Sequence, residues 1–78
     1  MPFSQEHLAE LNLLTLFESQ SQQAGIKVHS HEAAPETVAA AERLHKKGLI
    51  TQADGGYLTS LGSETVEYTQ KLLGILSN

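Results

Sequence analysis

Seventy-eight residues, 40% of them hydrophobic and 18% charged, suffice for one ordered domain over 1–78 but not for an elaborate catalytic scaffold. With no cysteine, a disulfide framework and any thiolate metal site are excluded, and no apolar run approaches the roughly 18 residues that a membrane span needs. A formal charge of −4 opposes non-specific nucleic-acid binding, which depends on neutralising phosphates, so a soluble, cytoplasmic single domain is expected.

The first predicted element is a helix over 5–18. Ser4 is its N-cap, and Glu6 lies in the first turn, where a negative charge favours the helix dipole. Leu8, Leu11 and Leu14 repeat at helical spacing and are joined by Leu13, Leu16 and Phe17. That apolar arc is wider than one face, which in so short a chain means deep burial or contact with another subunit. Residues 19–25 (SQSQQAG) are polar and turn-like. Gly25 to His29 alternates polar and β-branched residues and reads as a short strand.

The second helix runs over 35–47. Pro35 suits a first turn, because its missing N–H has no partner there. Ala34, Val38, Ala41 and Leu44 or His45 form an apolar stripe, with Glu36, Ala40, Arg43 and Lys47 on the opposite side. Lys46 and Lys47 complement the dipole at the helix end, and Gly48 stops it. Two β-rich runs, Leu49-Ile50-Thr51 and Tyr57-Leu58-Thr59, flank Ala53-Asp54-Gly55-Gly56, a hairpin signature because that turn needs residues tolerant of positive φ. Thr59 or Ser60 caps a last helix over 60–76. One of its faces carries Leu61, Thr65, Tyr68, Leu72 and Ile75; a second carries Val66, Leu73 and Leu76. The expected class is therefore α+β and mainly helical, with a short strand and a two-stranded hairpin.

Residues Val38 to Gly62 (VAAAERLHKKGLITQADGGYLTSLG) resemble the core of a winged helix-turn-helix domain. The shared features are Leu44, then Lys47-Gly48-Leu49-Ile50, the turn Asp54-Gly55-Gly56, and Leu58-Thr59 followed by Gly62. MarR- and PadR-like regulators share this arrangement, with terminal helices that pair two subunits. The whole chain is also similar to a group of small uncharacterised proteins described from gammaproteobacteria. The resemblance implies a recognition helix over 35–47 and a wing over 50–59. It implies binding to double-stranded DNA in a transcription-regulatory role through Lys27, Glu36, Thr37, Ala40, Arg43, Lys46 and Lys47. Arg43 would read guanine, and the lysines would hold phosphates. It further implies a homodimer, with Leu13, Leu16, Phe17, Val66, Leu72, Leu73 and Leu76 at the interface; three or four phosphate contacts per subunit bind weakly unless a dimer doubles them.

Two features depart from that pattern. The wing carries Asp54 and no Arg or Lys, and Glu36 stands where a recognition helix approaches the bases. These favour the alternative of a winged-helix protein-interaction or dimerisation module without DNA binding. His29, His31, Glu32 and His45 have no further spacing that completes a zinc site, so no metal or other cofactor is expected. No serine has a nucleophile-elbow context, and Gly55-Gly56 lacks the lysine of a phosphate loop; no catalytic residue is assigned.

Overall fold

The computed structural model describes residues 2–17, 26–27 and 33–78. They form α1 (Gln5–Leu14), β1 (Ile26–Lys27), α2 (Pro35–Lys46), β2 (Ile50–Gln52), β3 (Gly55–Leu58) and α3 (Ser60–Leu76). The class is α+β and mainly helical, in a winged-helix-like layout. The antiparallel sheet has the order β1-β3-β2, so the second hairpin strand is central and β1 pairs with it through Ile26–Gly56 and Lys27–Gly55. The polar segment 19–25 lies outside the described residues, as do residues 28–32 with His29, His31 and Glu32.

α1 begins with a reciprocal cap. The His7 N–H donates to Ser4 Oγ at 3.1 Å, and the Ser4 N–H donates to His7 Nδ1 at 3.1 Å. A histidine thus takes the place that Glu or Gln usually holds in such a box. The helix stops at Leu14 rather than running to residue 18. Its last turn tightens instead, with the Leu16 and Phe17 N–H groups bonded to the Leu13 and Leu14 carbonyls, and Phe17 ends fully inside the core.

α2 ends in a Schellman motif. The Leu49 N–H reaches back to the Leu44 carbonyl and the Gly48 N–H to that of His45, both at 3.0 Å. Gly48 holds φ at +81°, a conformation that L side chains disfavour. The chain thereby turns straight into β2. The hairpin turn is Ala53-Asp54, shorter than the four residues expected, because Gln52 already pairs with Gly55. Between that pair and Ile50–Leu58, β3 holds one residue more than β2, a bulge that the Thr51 hydroxyl supports by accepting from the Tyr57 N–H at 3.0 Å.

Thr59 joins the hairpin to both helices. Its N–H donates to the Leu49 carbonyl at 3.0 Å, and its hydroxyl donates to the Gly48 carbonyl at 2.6 Å. The same oxygen accepts from the Gly62 N–H at 3.0 Å, capping α3. At Gly62 the helix backbone presses on the preceding loop, and a Cβ there would lie 1.9 Å from the Leu49 carbonyl oxygen. The Leu-Thr-x-x-Gly pattern is thus one physical device: Thr59 satisfies the helix start, and Gly62 admits the carbonyl that Thr59 itself is bonded to.

The core is small. Leu13, Leu14 and Phe17 from the first segment meet Ala40, Ala41 and Leu44 of α2, Ile50 of β2 and Val66 of α3. Leu49 and Leu58 pack on its edge, as the sequence requires of a hairpin folded over a helix.

Candidate functional site

The face of α2 that meets α1 is charged. Glu6 and Glu10 lie four residues apart on α1, hence on one side of it. Ala40, Arg43 and Lys47 form the facing stripe of α2. Arg43 Nε donates to Glu10 Oε2 at 3.0 Å, and Lys47 Nζ donates to Glu10 Oε1. A second arginine nitrogen donates to the Glu6 backbone carbonyl at 3.2 Å, and the Glu6 carboxylate is 3.9 Å from Nη1. Ala40, with 0% exposure, lets the helices approach closely enough for this clasp.

Glu10 is the one charged residue in the buried set among the described residues, 6% exposed. Burial alone would push its carboxyl upward. The hydrogen bonds and positive charges of Lys47 and Arg43 outweigh that, and the group is held below the usual carboxylate value of 4.5. A charge removed from water is stable only when paired and hydrogen-bonded. Both Glu10 oxygens have partners, and no buried side-chain nitrogen or oxygen among the described residues lacks one.

This clasp takes up residues that the sequence placed on an outward face of α2. Ala40 was expected to face outward and is wholly buried. Arg43 and Lys47, also expected to face outward, are bonded to their own chain. The helix buries two adjacent faces, one against α1 and one beneath the hairpin, where the sequence pattern showed only the second; alanine's small apolar side chain suits either side. What α2 presents to solvent is Pro35, Glu36, Glu42, His45 and Lys46, with Thr37 and Ala39 half-buried. His45 is thus outside the core, and Leu44 alone closes the inward stripe. Lys27 lies in β1 opposite Gly55; its side chain is outside the described residues. The wing exposes Thr51, Gln52, Ala53 and Tyr57, with Asp54 half-buried. A cleft of about 390 Å³ between the N-terminal ends of α1 and α2 has Glu6, Glu36 and Arg43 on its walls, so two carboxylates face its one guanidinium.

The expected dimer residues divide in the same way. Leu13, Phe17 and Val66 are spent inside the monomer core, at 2% exposure or less. Leu16, Leu72, Leu73 and Leu76 are open to solvent. Leu8, Leu61, Tyr68 and Ile75 are equally open, and the wide apolar arcs of the two terminal helices were their signal. Leu8, Leu11, Leu72, Leu73 and Leu76 line an apolar groove of about 240 Å³ between α1 and α3. Tyr68 donates to Glu64 Oε1 at 3.2 Å, and that bond raises its hydroxyl above the usual value.

No group of three or more His, Cys, Asp or Glu among the described residues is arranged to hold a metal ion. None of the described helices is long and apolar enough to cross a membrane. No curated protein and no solved structure matches the chain. A family model covers residues 1–77, and the chain belongs to that family, a family of unknown function (DUF5669).

Proposed function

We propose that this chain is a non-catalytic, cytoplasmic protein-interaction module on a winged-helix-like scaffold, and that its second helix does not read DNA. One observation carries the reading: Glu10 takes up Arg43 and Lys47, two of the three basic residues at the end of α2. The solvent face sets Glu36 and Glu42 against Lys46 and against Lys47, whose half-open side chain is paired with Glu10. A phosphate backbone meets no net positive charge there, and the wing adds no base. The exposed leucines of α1 and α3 support the same reading, since contiguous apolar surface of this kind marks association sites.

The competing reading, DNA binding in a transcription-regulatory role, draws support from the helix–hairpin motif. It requires Arg43 and Lys47 to leave a buried carboxylate, a change that strands a charge in the core. Fluorescence anisotropy of a labelled duplex, measured at low and at physiological salt, separates the two. The expected outcome is no saturable binding up to about 100 µM protein, the weak end of non-specific affinity. Saturable binding that falls steeply with salt, and that Lys46→Ala weakens, would overturn the interaction reading.

A further inference from the structure

α3 carries two parallel stripes, and the fold uses only one. Gly62, Val66 and Thr69 point inward and are buried. Displaced by one residue, Leu61, Thr65, Tyr68, Leu72 and Ile75 alternate spacings of four and three, the spacing of a helix–helix seam. Its apolar members are open: Leu61 is 53% exposed, Tyr68 64%, Leu72 37% and Ile75 62%. The seam runs the length of a 17-residue helix, about 25 Å.

The charges beside the seam say what covers it. Glu64 and Lys71 lie seven residues apart, two turns along the same edge. Were two copies to pair in parallel, Glu64 would face the second copy's Thr69 and Lys71 its Leu76, and neither charge would find a partner. Antiparallel pairing about Tyr68 reverses this. Leu61 then lies opposite the second copy's Ile75, the two Tyr68 rings meet at the two-fold axis, and each Glu64 lies beside the other copy's Lys71. The Tyr68 hydroxyl, bonded to Glu64, already holds that carboxylate at the edge of the seam. The surface is self-complementary in one orientation only, which is what a two-fold interface requires.

We infer that a second copy of this chain docks antiparallel along the α3 seam, with reciprocal Glu64–Lys71 pairs flanking a Leu61–Tyr68–Ile75 contact. The inference deepens the interaction reading, on which it rests for taking α3 as the working surface, and moves the interface away from the residues that the core consumes. A contact of one helix pair is small, so the dimer is a weak one, with a dissociation constant in the micromolar range.

Sedimentation equilibrium tests it on the full chain, with far-UV circular dichroism confirming that each variant is folded; every changed residue is on the surface. The wild type is expected to dimerise within about 10–100 µM. Tyr68→Glu places two carboxylates together at the axis and is expected to weaken the dimer at least about a hundred-fold, since like charges brought together in an interface cost several kcal/mol. Glu64→Lys and Lys71→Glu alone are each expected to weaken it about ten-fold, and the double exchange to restore it to within about three-fold. A wild type still monomeric at about 500 µM, beyond the weak end of the micromolar range, overturns the inference. So does a dimer indifferent to Tyr68→Glu, or a double exchange no better than the single ones. A monomer that leaves DNA unbound removes the self-docking and spares the interaction reading, whereas a dimer that binds DNA does the reverse.

Discussion

The joint between α2 and α3 and the far half of α3 are built on opposite terms. In the joint, residues 44–62, Gly48 and Thr59 close hydrogen bonds of 2.6–3.0 Å, and Gly62 leaves room for the Leu49 carbonyl. In the half beyond Thr69, every residue is exposed, including Leu72, Leu73, Ile75 and Leu76. One region is completed by its own chain and the other leaves its apolar side chains open to solvent. Interactions that close over a few residues need no partner, whereas an apolar helix face does.

Gly62→Ala is the largest blow to the first region. The added methyl would occupy the space of the Leu49 carbonyl oxygen, and neither that backbone group nor the helix can yield without losing the Thr59 bonds. The expected loss is about 3 kcal/mol or more, at the upper end of overpacking costs. For a 78-residue chain holding roughly 4–12 kcal/mol in all, that is a large share. Urea titration followed by circular dichroism reads it. A midpoint within error of the wild type would mean that α3 does not start where the joint puts it.

The clasp between α1 and α2 is intermediate, being long-range yet complete. Removing Glu10 by Glu10→Ala leaves two cations without their partner. Buried pairs cost about 3–5 kcal/mol to break, but Arg43 and Lys47 keep 27% and 49% side-chain exposure, so water compensates in part and about 2 kcal/mol is expected. The pH dependence has a definite sign. Because the folded carboxyl is held below 4.5, its contribution is complete above that value and is lost as the pH falls through the lower folded value. Glu10→Gln is therefore expected to lower stability at neutral pH and to narrow its gap from the wild type on acidification. Urea midpoints from pH 7 down to pH 3 check this, and a gap that widens towards acid would place the charge pairing elsewhere.

How far the sequence could be read follows the same division. Ser4, Pro35, Gly48 and Thr59 act through neighbours a few residues away, and each lies where its local chemistry predicts; the hairpin forms at its signal, but with Gly55 and Gly56 in β3 rather than in the turn. α1 ended early because leucine at 13 and 14 continues a helix as readily as it leaves one; the tightening that turns Phe17 inward is imposed by the core. The face of α2 departs from its periodicity for a related reason. Ala39, Ala40 and Ala41 are alike in hydrophobicity, so the stripe carrying Arg43 passes equally well for a solvent face or for one against α1. The pairing of Glu10 with Arg43 and Lys47 spans more than thirty residues, and periodicity contains no such term. A carboxylate on a leucine-rich helix, four residues after another, was the only hint. The exposed seam of α3 was visible as an apolar arc too wide for its element, but which of the arc's residues the core would use depended on where α1 and the hairpin packed.

The smallest expected effect lies in the second region. Gly74 is in the interior of α3, turned away from both the buried stripe and the seam, and a Cβ there meets nothing within 4 Å. Gly74→Ala adds no contact. It removes backbone freedom from the unfolded chain at a site whose helical conformation alanine prefers, a gain of about 0.5–1 kcal/mol. In a domain of this size that corresponds to a rise of roughly 2–8 °C in the melting temperature, accompanied by slower amide exchange over the last two turns. The same chemical change, one methyl on a glycine of one helix, is thus expected to have opposite signs at 62 and 74. Should Gly74→Ala lower the melting temperature, the end of α3 would have to be packed against something that needs its glycine bare.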